Sequence, residues 1–85
     1  MFDKETMTIV EIVKATPEAM GDYYDFPLKL FTDLAVEAAK RGISLHTLEH
    51  GVSRLPTQGL AVVHRSRDGA IHGIQTTKMF RNLFP

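Results

Sequence analysis

Residues 38–75 read AAKRGISLHTLEHGVSRLPTQGLAVVHRSRDGAIHGIQ, and their spacings predict a helix, a tight turn, a second helix and a β-hairpin. Gly42 can adopt the left-handed conformation that ends a helix, and Ser44 is a favourable N-cap for the next one. Apolar residues then recur at helical spacing until Pro56, at Leu45, Leu48, Val52 and Leu55. We therefore predict a second helix over about residues 45–55, with Leu48, Val52 and Leu55 facing the core.

The helix before this turn is predicted to begin at about residue 28, directly after Pro27, because proline is favoured at helix starts. Its apolar positions recur every three or four residues, at Leu28, Phe31, Leu34, Ala35 and Ala38. Lys40 and Arg41 fall in its last turn, where the helix dipole favours cations. The helix-turn-helix is thus expected over about residues 28–55.

Gly51 lies inside the predicted second helix, where a glycine costs roughly 1 kcal/mol relative to alanine. Two explanations fit the sequence. Either the glycine permits close packing against a neighbouring element, or the helix ends early.

A β-hairpin is predicted over about residues 59–77. Two runs rich in β-branched residues, 60–65 and 70–77, flank a turn at Asp68 and Gly69. The dipeptide Asp-Gly is a strong hairpin signal because both residues tolerate positive φ. Helices and hairpin together predict a small α+β fold.

The hairpin turn can form in two ways. A two-residue loop would pair Arg67 with Ala70. A three-residue loop with Gly69 in the left-handed conformation would instead set His64 opposite His72. The sequence leaves both loops open.

Both ends of the chain also leave alternatives open. Residues 7–14 are rich in β-branched side chains, which favours a strand, yet Ile9 and Val13 share a helical face. Near the C-terminus, four apolar side chains could dock on the core or on a partner: Met79, Phe80, Leu83 and Phe84.

The composition is that of a soluble globular protein, with 85 residues of which 44% are hydrophobic and 24% charged. This length predicts one domain, residues 1–85. The chain has no cysteine, which excludes disulfides and thiolate metal sites. No apolar run reaches the roughly 20 residues of a membrane helix, and the acidic start is unlike a signal peptide, so we expect a cytoplasmic protein without membrane contact.

Charge is divided unevenly along the chain, although the net charge is zero. Residues 1–37 carry eight acidic and three basic side chains, a net charge of −5, whereas residues 38–85 carry seven basic and two acidic ones, a net charge of +5. All four histidines lie in the basic half. Such an asymmetry indicates a face that binds a polyanion.

The second helix and the first hairpin strand also share a residue pattern with a known class of protein. The residues concerned are Ser44, Thr47, Leu48, Val52, Arg54, Leu55, Gly59, Leu60 and Ala61. At these intervals they resemble the recognition helix and first wing strand of winged-helix regulators, especially those of the MarR class. Upstream, Ala38, Gly42 and Ile43 match the small, turn and core positions of the helix-turn-helix. Two residues depart from the pattern: Pro56 stands where the family continues its helix, and Gly51 replaces a commonly bulky side chain.

The resemblance implies a winged helix-turn-helix domain with a C-terminal β-hairpin wing, acting as a homodimeric transcriptional regulator on double-stranded DNA. The outward side chains of the second helix would enter the major groove, and the basic wing would reach phosphates or the adjacent minor groove. The predicted DNA-binding residues are His46, Thr47, His50, Ser53 and Arg54 in the helix, Arg65 and Arg67 in the wing, and Lys40 and Arg41 before the turn.

A competing motif overlaps the second helix. His46, Glu49 and His50 match the H-x-x-E-H pattern of inverted zinc peptidases, in which two histidines bind zinc and the glutamate serves as base. That chemistry needs a further ligand and a substrate cleft, for which 85 residues leave little room. We therefore expect no metal, no cofactor and no enzymatic activity.

A second function remains open alongside DNA binding. The same scaffold could serve as a protein-binding adaptor or inhibitor, such as one encoded by a mobile element, that does not bind DNA. The basic face of the second helix favours DNA. The acidic N-terminal half and the apolar tail favour a protein partner.

Overall fold

The computed structural model describes residues 2–16 and 28–85, and these residues form an α+β fold, as the sequence predicted. They contain four helices and a three-stranded antiparallel sheet. In chain order the elements are α1 (Lys4–Ala15), β1 (Leu28–Leu30), α2 (Phe31–Lys40), α3 (Leu45–Arg54), a 3₁₀ turn (Pro56–Gln58), β2 (Ala61–Arg65), β3 (Ile71–Thr76) and α4 (Lys78–Leu83). Among these helices, none combines the length and apolar character needed to cross a bilayer. Pro27, the predicted helix start, lies outside the described residues.

Residues 7–14, for which the sequence allowed a strand or a helix, lie in helix α1. Asp3 caps this helix by accepting a hydrogen bond from the Thr6 backbone N–H at 2.8 Å. The helix buries a continuous apolar stripe made of Ile9, Val10, Ile12 and Val13. Burial of this stripe outweighs the modest preference of β-branched residues for strands.

The helix predicted from residue 28 begins later, at Phe31, because residues 28–30 form strand β1. Strand β1 pairs with β3, where Lys29 lies opposite Ile74. Gly73 allows the two strands to approach closely, since a Cβ atom at Gly73 would lie 2.7 Å from the carbonyl oxygen of Lys29. The predicted start was wrong because this pairing joins residues far apart in sequence.

The hairpin has the three-residue loop, with Gly69 in the left-handed conformation at φ 90°. Ser66 and Ala70 close this loop, the Ser66 backbone N–H donating to the Ala70 carbonyl oxygen at 2.8 Å. The predicted pairing of His64 with His72 is nevertheless wrong. The register shifts next to the turn, so His64 lies opposite Gly73. The shift leaves His72 as the extra residue of a β-bulge.

Helix α3 matches the predicted second helix and turns its apolar stripe inward. Ser44 caps it by accepting from the Thr47 backbone N–H at 3.1 Å, and Gly42 has the left-handed φ of 71° that ends the preceding segment. Three side chains on its inner face are 0% exposed: Leu48, Val52 and Leu55. They pack into a core shared by α1, α2 and the sheet.

Gly51 is explained by close packing rather than by an early end of the helix. It is buried where α3 meets α1, and a Cβ atom built on it would lie 2.7 Å from Ile9 Cδ1. Such a separation is far below van der Waals contact. Only glycine therefore lets the two helices cross at this distance.

The C-terminal segment docks on the protein's own core. Thr77 caps α4, whose Phe80 is buried. The Phe84 ring lies 5.3 Å from the Phe80 ring and 5.9 Å from the Phe2 ring, measured between centroids. Met79 and Leu83 of this segment remain exposed.

Replacing Gly51 with alanine should destabilise the protein by about 1–3 kcal/mol, because the added methyl group overpacks the contact with Ile9. Helix propensity alone would predict a gain of about 1 kcal/mol. Urea unfolding followed by circular dichroism measures the difference. In an Ile9→Ala background the same substitution should cost much less, because the space is then open. A Gly51→Ala protein more stable than wild type would show that α1 and α3 do not meet here.

Candidate nucleic-acid interface

An open groove runs between the outer side of α3 and the β2–β3 hairpin, with a volume of about 240 Å³. It is lined by His46, Glu49, His50 and Ser53 of the helix and by Arg65 and Ile71 of the hairpin. We call it the helix–hairpin groove. Four of the predicted site residues thus meet in one place.

Two of the lining residues were not among the predicted ones. Glu49 follows His46 by three positions, so helical spacing alone could have identified it as a neighbour on the same face. Ile71 reaches the groove through the register of the hairpin. Its position carries no local sequence signal because it depends on where the bulge falls.

Arg65 joins the hairpin turn to helix α3. Its Nη1 atom donates to the carbonyl oxygen of Gly69 at 2.9 Å, and its Nη2 atom lies 3.5 Å from the Ser53 hydroxyl oxygen. The Ser53 hydroxyl itself donates to the backbone carbonyl of Glu49 at 2.8 Å. Arg65 therefore holds the turn in place as well as lining the groove.

Arg67 occupies the exposed tip of the hairpin. The turn beneath it is ordered by Asp68, which accepts hydrogen bonds from the Ser66 hydroxyl and from the Ala70 backbone N–H. These bonds, from the hydroxyl first, lower the pKa of Asp68. Within residues 2–16 and 28–85, Arg67 makes no ion pair. Its guanidinium is thus presented to solvent on a well-ordered turn.

Arg54 does not line the helix–hairpin groove, although the sequence placed it on the same open face. Its Nη1 atom lies 2.7 Å from Glu5 Oε1, and its Nη2 atom lies 3.0 Å from Asp3 Oδ2. The hydrogen bonds to Asp3 and then Glu5 raise the pKa of Arg54. Two carboxylates of α1 and its cap therefore neutralise this cation. Sequence patterns carry no sign of the pairing because the partners lie about fifty positions apart.

Thr47 also lies on the α1 side of helix α3. It borders a second groove of about 320 Å³, whose other lining residues are Lys4, Glu5, Thr8, Ile9 and Ile43. The predicted site residues of α3 therefore fall into two sets. His46, His50 and Ser53 line the helix–hairpin groove, whereas Thr47 and Arg54 turn towards α1.

Lys40 and Arg41 share one acidic partner at the end of α2. Glu37 Oε1 accepts from Arg41 Nη1 at 2.7 Å, and Glu37 Oε2 lies 3.6 Å from Lys40 Nζ. The Arg41 hydrogen bond is the main cause that lowers the pKa of Glu37. Both cations reach solvent, with side chains 67% and 35% exposed, whereas that of Glu37 is 16% exposed. Ion pairs at the surface are weak, so another anion can replace Glu37.

The two histidines of the H-x-x-E-H pattern are both exposed. His50 Nδ1 lies 3.4 Å from Glu5 Oε1, which connects the helix–hairpin groove to the acidic start of α1. In the part of the chain that the structure describes, no three His, Asp or Glu side chains come together as a metal site would require.

Comparison of the chain with protein family models, with curated proteins and with solved structures found no match. The function is therefore inferred from the residues of the chain and their geometry.

Because of the Asp3 carboxylate, the unfolding free energy should fall as the pH becomes acidic. Hydrogen bonds from the Thr6 hydroxyl and backbone N–H, and then from Arg54, lower its pKa from 3.8 to about 2. A lowered pKa stabilises the folded state fully above pH 3.8 and loses this contribution as the pH falls through about 2. Asp3→Asn keeps the cap but lacks the charge, so its unfolding free energy should lie below that of wild type at pH 7 and converge with it near pH 2.

Urea unfolding across this pH range measures both curves. In Arg54→Gln, one cause of the lowered pKa is removed, so the acid loss should be smaller than in wild type and should be complete at a higher pH. Parallel curves for wild type and Asp3→Asn would contradict the role given to Asp3.

Proposed function

We propose that this chain is a small winged-helix transcriptional regulator that binds duplex DNA through α3 and the β2–β3 hairpin. The observation that carries the proposal is the helix–hairpin groove, where the exposed face of the second helix and a basic hairpin form one continuous surface. The turn at Gly42 and the inward stripe of α3 support a helix-turn-helix, since together they leave the outer side of the second helix open.

The side chains on this surface suit the recognition of DNA. A major groove about 12 Å wide admits one α-helix, which would bring His46, His50 and Ser53 towards base edges. Arg67 at the hairpin tip would reach the phosphate backbone or the adjacent minor groove. Lys40 and Arg41 add two exposed cations whose shared partner Glu37 a phosphate can replace.

Regulation would follow from occupancy of the DNA site. A homodimer would set two copies of α3 in successive major grooves, roughly 34 Å apart, and the DNA site would have matching two-fold symmetry. The acidic residues of the N-terminal half would then face away from the duplex or take part in contacts between subunits.

A second candidate, a protein-binding adaptor or inhibitor that does not bind DNA, has its own support. Glu49 lines the helix–hairpin groove, and Arg54 is neutralised by two carboxylates. Leu45 at the start of α3 is 57% exposed, and Val62 on β2 is 53% exposed. A protein partner would accept this acidic group and these exposed apolar side chains more readily than DNA would.

A titration of random-sequence duplex DNA by fluorescence anisotropy separates the two functions. Binding through phosphates should weaken steeply as salt rises, with log K falling by about 0.9 per phosphate contact for each unit of log salt. Arg67→Ala should weaken binding and reduce this slope by about 1, because one phosphate contact is lost.

Arg81→Ala provides the matched control, since it removes an exposed cation from α4, outside the helix–hairpin groove. It should leave the slope unchanged. If wild type binds no DNA even at low salt, the adaptor function replaces the DNA-binding one. Equal effects of the two substitutions would place the interface elsewhere.

A further inference from the structure

The contact between Arg54 and the start of α1 lies at the border of the proposed DNA-binding surface. Glu5 Oε1 is 2.7 Å from Arg54 Nη1 and 3.4 Å from His50 Nδ1. His50 in turn lines the helix–hairpin groove. The carboxylate of Glu5 therefore sits beside the groove, and Asp3 shares with it the contact to Arg54, a cation of α3.

We propose that Asp3 and Glu5 are an intramolecular competitor for phosphate, which masks Arg54 and keeps this cation from contacting the DNA backbone. This inference rests on the proposed DNA-binding function. It assigns the N-terminal acidic pair a role in setting how tightly, and at what salt concentration, the protein binds a polyanion.

The exposure of the three side chains supports an exchangeable contact. The Arg54 side chain is 40% exposed, that of Asp3 is 51% exposed and that of Glu5 is 36% exposed. Ion pairs accessible to water to this degree are weak and are screened by salt. A single phosphate can accept hydrogen bonds from two nitrogen atoms of a guanidinium, as Asp3 and Glu5 together do here, so it can take their place.

The competition also acts over a short distance on the rest of the groove. The negative charge of Glu5 next to His50 lowers the local potential and so opposes the approach of a phosphate. Removing the two negative charges of the pair would free Arg54 and so add one cation to the interface. The number of phosphates bound would rise by about one, which a salt titration detects as a steeper slope.

The test compares DNA binding by wild type, Asp3→Asn/Glu5→Gln, Arg54→Gln and the triple variant that combines all three substitutions. Asparagine at position 3 preserves the helix cap, so α1 keeps its start. Glu11→Gln is the charge control, because Glu11 is an exposed acid of the same helix outside both grooves. Affinity for random-sequence duplex is measured by fluorescence anisotropy across about 50–200 mM salt, and circular dichroism monitors folding.

The double variant should bind roughly eightfold tighter than wild type near 0.1 M salt, with a slope steeper by about 0.9, as expected for one more phosphate contact. Glu11→Gln should change the affinity only slightly and leave the slope unchanged. In the Arg54→Gln background the double substitution should bring no gain in slope, because the unmasked cation is then absent.

Three results would overturn the inference and can be told apart. If wild type binds DNA but the double variant binds no tighter than Glu11→Gln, the acidic pair does not mask Arg54, while DNA binding itself stands. If neither wild type nor the double variant binds DNA at low salt, both the inference and the proposed function fail. A gain in slope that persists in the Arg54→Gln background would show that Arg54 does not make the added phosphate contact, and would also overturn the inference.

Discussion

The close crossing of α1 and α3 at Gly51 is the constraint on which the rest of the structure depends. Because a glycine faces Ile9 there, the rotation of α3 about its own axis is set by contact with α1. That rotation buries Leu48, Val52 and Leu55 and leaves His46 and His50 outside. The same crossing brings the last turn of α3 within reach of Asp3 and Glu5. One packing contact therefore decides both which side chains face the groove and which cation is neutralised.

Features specified by neighbouring residues could be predicted from the sequence. The left-handed Gly42, the Ser44 cap and the apolar stripe of α3 all act within a few positions, and the structure has each of them. The three-residue hairpin loop was one of two possibilities, since Gly69 tolerates positive φ in either. The position of His46, His50 and Ser53 on one open face followed from helical periodicity alone.

Features that depend on distant residues could not be predicted in this way. Strand β1 forms because it pairs with β3. The apolar pattern of residues 28–30 alone fits a helix equally well. The bulge at His72 separates the two hairpin histidines, and only the full ladder determines its place. Arg54 was assigned to the open face, although its ion pairs come from the other end of the chain. In each case the deciding residue lies beyond the few neighbouring positions that periodicity and capping rules describe.

The way in which the basic side chains are paired shapes how this protein would engage DNA. Three of the basic side chains have carboxylate partners: Lys40, Arg41 and Arg54. Arg65 donates a hydrogen bond to the Gly69 carbonyl oxygen of its own hairpin turn. Because a phosphate at Lys40, Arg41 or Arg54 must compete with a carboxylate, a single copy would bind random DNA weakly. Discrimination between sequences would then rest on neutral side chains in the groove, and useful affinity on two linked copies. Linking two weak sites raises the effective concentration of the second without any new contact. A zero net charge is thus consistent with a DNA-binding protein that relies on paired recognition helices rather than on a strongly basic surface.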